Sequence, residues 1–137
     1  MVNNYPIAWS NDLSVNVKVI DKQHQHFIEI LNSLYNTVLI EGDQKVVDKM
    51  FKELKKYANY HFATEEKLFK KFAYPEAQEH IEAHQKLNQE LKAFEARKKK
   101  GEDIVSDLLN FMEDWLVSHL NYMDKKYSQW FNDHGLY

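Results

Sequence analysis

The residues of this chain best able to do chemistry are five histidines and two carboxylates: His24, His61, Glu65, His80, His84, His119 and Asp124. An imidazole-rich set with carboxylates suits zinc, copper, iron or nickel rather than calcium. Seven ligands are too many for one zinc ion, which usually takes four in a tetrahedron, so two metals are indicated. If both are six-coordinate, five imidazoles, two carboxylates bridging through both oxygens and one bridging oxide or hydroxide fill every position but one. A vacancy on a redox-capable pair is a small-molecule site, and dioxygen is its natural candidate.

Spacing supports a shared site. His61 and Glu65 are four residues apart, as are His80 and His84, so each pair lies on one helical face. These positions fall inside apolar stripes, where an ionised Glu or an unpartnered His is costly to bury unless a metal or hydrogen bonds compensate. His26 sits about 200° round the helix from His24, and His134 lies past the last turn, so neither is expected to join. Asp124 is irregular: five residues after His119 is about 140° round an ideal helix, and a local π-type turn is needed to realign it.

The elements that must position these residues are legible from the few breakers. Gly42, Pro75, Gly101 and Gly135 divide the chain after Pro6 into four long segments. Helices are expected over about 21–41, 43–73, 76–100 and 103–132, each with apolar residues at alternating three- and four-residue steps. Asp21 is a plausible N-cap for the first, Gly42 its stop, and Val38 part of its stripe. The basic run Arg97 to Lys100 complements the dipole at the end of the third. Residues 1–20 read as an extended arm over the bundle.

Short connections make consecutive helices antiparallel neighbours, which predicts an all-α, up-down-up-down four-helix bundle in a single domain spanning 1–137. In such a bundle, residues equally far from a connecting loop share a height, because each residue rises about 1.5 Å. His24 lies 18 residues before Gly42 and His61 lies 19 after it; Glu65 lies 10 before Pro75 and His84 lies 9 after it. His84 precedes Gly101 by 17 and His119 follows it by 18, so all four helices bring ligands to one layer.

Composition narrows the chemistry further. The absence of cysteine excludes thiolate zinc sites, cysteine-ligated iron-sulfur clusters, c-type haem attachment and disulfides. A formal net charge of -3 supplies no electropositive field for nucleic acid. No basic-then-apolar leader and no long apolar run is evident, so a cytoplasmic protein without a membrane span is expected. No histidine has a Glu three residues before it, which separates the ligand set from carboxylate-rich di-iron bundles, and the zincin pattern is also missing.

The ordered motifs Trp9, Asp21-Lys22-Gln23-His24, His61-Phe62-Ala63-Thr64-Glu65-Glu66, Tyr74-Pro75, His80-x-x-x-His84 and Trp115-Leu116-x-x-His119-x-x-x-x-Asp124-x-x-Tyr127 resemble those of the hemerythrins. The resemblance covers nearly the whole chain. It implies two iron ions with a bridging oxide or hydroxide: one held by His80, His84 and His119, the other by His24 and His61, with Glu65 and Asp124 bridging. It also implies that the vacancy belongs to the two-histidine iron and binds dioxygen reversibly, as both irons pass from ferrous to ferric. Phe69, where Met is frequent in that family, and Leu120, where Ile is frequent, are mild departures that leave the ligands untouched.

Ile28, Phe62, Leu116, Leu120 and Met123 lie about one turn from ligands and are candidates for the oxygen-pocket wall, with plain core packing as the competing role. Glu66 is expected to be solvated or to support a ligand from behind. Tyr57, Tyr60, Tyr122 and Tyr127 read as core and boundary residues. Oxygen storage, transport or delivery to an oxygen-consuming enzyme is the expected function, without catalysis by this chain. Sensing through a partner, or an oxidase or peroxidase activity, are the alternatives.

Overall fold

In the computed structural model, which describes residues 6–39 and 44–137, four helical rods run antiparallel to their sequence neighbours. Helix α1 spans Lys18–Leu39, α2 Gln44–Lys71, α3 Ala77–Lys99 and α4 Val105–Trp115. The fourth rod then continues through a π-helical segment, Leu116–Met123, a 3-10 segment, Asp124–Tyr127, and α5, Ser128–Asp133. The side chain of Val38, the expected first-helix end near Glu41 and the Gly42 stop lie outside what is described.

Pairings along the rods fix the antiparallel register. Between α2 and α3, Asp48 meets Lys98, Lys55 meets Glu95 and Glu65 meets His84. Between α3 and the fourth rod, Arg97 meets Asp107, Phe94 meets Phe111 and His84 meets His119. As one number rises the other falls, so residues equidistant from a loop share a height.

The first helix starts three residues earlier than expected. Asp21 is no N-cap: its carboxylate accepts from the Ser14 hydroxyl at 2.6 Å and the Val15 amide at 2.8 Å, tying the arm to the helix. The cause is burial, since Val15, Val17 and Ile20 are fully enclosed and draw the first turn into the core. The arm is also not wholly extended, for it holds a 3-10 turn at Asn11–Leu13. It lies along α1, where the Ile7 amide donates to Asn32 Oδ1 and Asn32 Nδ2 donates to the Ile7 carbonyl.

Helix ends follow local chemistry. Among the described residues, three C-terminal turns close with a left-handed residue and a reversed hydrogen bond: Gly101 after α3, Gly135 after α5 and Ala73 after α2. Arg97 of the basic run bonds Glu102 and Asp107, and Lys98 reaches across to Asp48.

The core is divided. One apolar cluster, with Phe27, Ile28, Leu31, Phe62, Leu91, Leu108, Leu116 and Leu120, fills the end near the α1–α2 connection. A second, with Val15, Val17, Ile20, Phe69, Tyr74, Tyr127 and Phe131, fills the other end. The layer between them is polar.

Candidate metal centre

That layer gathers all seven residues expected from the sequence, each no more than 2 % exposed. Helix α1 supplies His24, α2 His61 and Glu65, α3 His80 and His84, and the fourth rod His119 and Asp124. Two groups of ligand atoms close up, one of Glu65, His80, His84 and His119, the other of His24, His61 and Asp124.

The carboxylates stand between the groups. Asp124 Oδ2 lies 2.9 Å from His24 Nε2 and 3.6 Å from His61 Nε2, while its Oδ1 lies 2.8 Å from His80 Nε2 and 2.9 Å from His119 Nε2. Glu65 Oε1 lies 3.1 Å from His61 Nε2 and 3.0 Å from His84 Nε2, with Oε2 3.6 Å from His80 Nε2. Each carboxylate therefore addresses imidazoles of both groups.

Asp124 reaches this layer through the π-helical segment. Its backbone N–H bonds the His119 carbonyl five residues back, adding a residue to the turn and carrying its carboxylate inward. At the start of that segment Ser118 Oγ donates to the Asp114 carbonyl at 2.7 Å, a back-bond of the kind that bends helices. The realignment expected of Asp124 is thus found, and its carboxylate is fully buried.

Neighbouring side chains orient two of the rings. The Thr64 hydroxyl donates to the Tyr60 carbonyl at 2.9 Å, leaving its oxygen to accept from Gln23 Nε2 at 3.0 Å. Gln23 Oε1 must then face His61 Nδ1, 2.6 Å away, so Nδ1 carries the hydrogen and Nε2 presents a lone pair to the layer. Likewise His84 Nδ1 donates to Glu66 Oε2 at 2.9 Å. Both Nε2 lone pairs then face carboxylate oxygens.

Two acceptors at such separations repel unless a cation lies between them. Without metal, protons must serve. Burial disfavours the charged form of His61, yet Glu65 and Asp124 outweigh it and raise its pKa to about 10. Burial likewise opposes charge on His80, and the nearby Asp124 and Glu65 carboxylates raise it to about 9. Burial raises the carboxylates too, but the surrounding imidazoles win and hold Glu65 and Asp124 well below the usual range. His119 is lowered, chiefly by burial. Several converging atoms, His61 Nε2, His80 Nε2, His119 Nε2 and Asp124 Oδ1, still lack a well-directed hydrogen bond. These donors fit divalent or trivalent metal better than a set of shared protons.

Rings brace the imidazoles. Trp115 stacks on His119 with centroids 3.9 Å apart, and Phe62 stacks on His84 at the same separation. Tyr57 lies parallel to His61 at 5.2 Å. From the far cluster, Tyr127 Oη donates to Glu65 Oε2 at 2.6 Å. Burial, followed by the charges of Asp124 and Glu65, pushes that hydroxyl well above its usual pKa, so it keeps its proton.

Residues 15–131 match the family model described as the hemerythrin HHE cation binding domain. The chain belongs to the hemerythrin family. It is 30 % identical over 122 residues to a bacteriohemerythrin of Stenotrophomonas maltophilia, covering 89 % of this chain and 79 % of that one. A bacteriohemerythrin of Methylococcus capsulatus is 29 % identical over 117 residues, covering 85 % and 88 %. A wild-type hemerythrin crystal structure superposes with a TM-score of 0.82 at 27 % identity, covering 90 % of this chain and 95 % of the other.

On this hemerythrin scaffold the remaining expectations separate. His26 is half-exposed beside Glu29, and His134 bonds the Trp130 carbonyl at 2.6 Å, so both stay outside the layer. Tyr57 and Tyr127 are buried, whereas Tyr60 and Tyr122 are exposed. Ile28, Phe62, Leu116 and Leu120 are buried in the cluster adjoining the centre, but Met123 is only partly buried. Glu66 supports His84 from behind. Supporting roles for Gln23, Thr64, Trp115 and Tyr127 were not read from the sequence. Aromatic residues four positions before a buried histidine, Tyr57 before His61 and Trp115 before His119, are a signal that identifies stacking partners.

Proposed function

We propose that His24 and His61 hold one iron, that His80, His84 and His119 hold a second, and that Glu65 and Asp124 bridge the two with an oxide or hydroxide. The reading assigns the protein reversible dioxygen binding at the two-histidine iron, for storage, transport or delivery to an oxygen-consuming enzyme, as a single-domain cytoplasmic protein. The observation that carries it is the convergence of five imidazoles on two buried carboxylates, with the Nε2 lone pairs of His61 and His84 turned inward. When bound, an iron pair supplies reversible two-electron chemistry toward dioxygen.

The chain's own residues do the rest. Gln23 orients the ring of His61 and Glu66 that of His84. Tyr127 holds a proton on Glu65 Oε2, steadying the bridge from the apolar end opposite Phe62 and Leu116. Ile28, Phe62, Leu116 and Leu120 cover the layer with hydrocarbon, which excludes water that would promote irreversible oxidation.

Cycling the reduced protein between argon and air, with the visible spectrum followed throughout, tests this function. Full recovery of the ferrous form on removing oxygen is expected. Steady consumption of oxygen and reductant would instead make the protein an oxidase or peroxidase. A preparation that retains one metal, or zinc alone, when iron is supplied would overturn the di-iron assignment.

A further inference from the structure

The two rings that are oriented from behind are held by groups of different charge. His61 Nδ1 donates to an amide oxygen, Gln23 Oε1, of a buried residue. His84 Nδ1 donates to a carboxylate oxygen, Glu66 Oε2, in a side chain 39 % exposed. Both hydrogen bonds fix the same tautomer, but only the second brings an acidic group to the ring. A carboxylate accepting from Nδ1–H draws that proton toward itself and enriches the imidazole, making Nε2 a stronger donor, whereas a neutral amide orients the ring with much less electronic effect.

We propose that Glu66 is a positioning residue that makes the two metal positions electronically unequal, biasing the metal of His80, His84 and His119 toward its oxidised state while Gln23 leaves the metal of His24 and His61 the easier to reduce. The inference rests on the ligand set proposed above. Its chemistry is one electron per ion, ferric to ferrous, with no bond made or broken in the protein. Glu66 acts only through His84. Thr64 has a matching part on the other side, because its hydroxyl prevents Gln23 from turning its amide nitrogen toward His61.

The test compares the iron-loaded wild type with Glu66→Gln, Gln23→Glu, the double exchange and Glu66→Ala, all first assayed for iron per chain. Each is reduced stepwise with dithionite under a monitored potential, and the half-reduced species is examined by Mössbauer spectroscopy. In the wild type the first electron is expected at the two-histidine iron. Glu66→Gln, which keeps an acceptor, should retain two irons and raise the potential of the three-histidine iron. Gln23→Glu should lower that of the other, and the double exchange should reverse the order of reduction. Glu66→Ala should weaken iron binding by about 10- to 100-fold, with Gln restoring affinity but not the potential.

Potentials unchanged in Glu66→Gln with two irons present would overturn the proposal. So would loss of iron from Glu66→Gln, because the neutral acceptor is expected to preserve the ring orientation. A wild type that cannot hold two irons would defeat the ligand set itself, and this inference with it; a wild type that holds two while the variants behave alike defeats this inference alone.

Discussion

His119 and Asp124 are joined twice: the Asp124 backbone N–H donates to the His119 carbonyl, and the Asp124 carboxylate lies 2.9 Å from His119 Nε2. The first contact is the π-helical bond that makes the second possible, since five residues of regular α-helix would turn the carboxylate about 140° away. Asp124→Asn removes the charge at nearly constant shape. Metal analysis should show loss of at least one ion per chain, with far-UV circular dichroism of the loaded sample still helical. Full occupancy in this variant would show that the carboxylate is not a bridge.

Tyr127→Phe deletes the O–H that serves Glu65 Oε2 and leaves a buried acceptor with one partner fewer. A loss of about 1–3 kcal/mol is expected from urea unfolding of the metal-free protein. The loaded protein should lose less, because metal then neutralises the carboxylate, and equal losses in the two forms would contradict that role.

The pH dependence of the metal-free protein follows from the same groups. An unfolded histidine titrates near 6.5, whereas folded His61 and His80 titrate at about 10 and about 9. Their protonated forms therefore contribute stability that is complete below about pH 6.5 and is lost as pH rises through the folded values. Glu65 and Asp124 are depressed, so their contribution is present above roughly pH 4.3 and is lost on acidification. Chelator-stripped protein should be most stable in the weakly acidic range by thermal unfolding at pH 4 to 10. Iron affinity should move the opposite way and tighten from about pH 6.5 to 9, since binding displaces the protons on His61 and His80. A melting temperature that climbs over that interval without metal would contradict the assignment.

Ala73 closes α2 at φ 50°, a position its counterparts fill with glycine: Gly101 at 85° and Gly135 at 88°. The Tyr74 amide nevertheless bonds the Phe69 carbonyl at 2.9 Å, so the turn is formed despite the strain on Cβ. Ala73→Gly should relieve about 1–2 kcal/mol of that strain and give back roughly 0.5–1 kcal/mol to the greater freedom of the unfolded chain. A net gain near 0.5–1 kcal/mol in urea unfolding is expected, and a loss would show that the turn tolerates alanine without cost.

What the sequence by itself determined is a matter of linear count. Helix rise is constant, so distances from Gly42, Pro75 and Gly101 place His24, His61, His84 and His119 at one height, and four-residue spacing puts His61 with Glu65 and His80 with His84. What only the tertiary structure decided is rotation and partnership. Asp124 turns inward because the winding changes at Leu116–Met123, α1 begins at Lys18 because Val17 and Ile20 are buried, and Gln23 and Glu66 find their rings on other helices, 38 and 18 residues away. Periodicity gives each helix its face. The angle at which two faces meet, and hence which side chain stands behind which imidazole, is set by packing between helices rather than by any one of them.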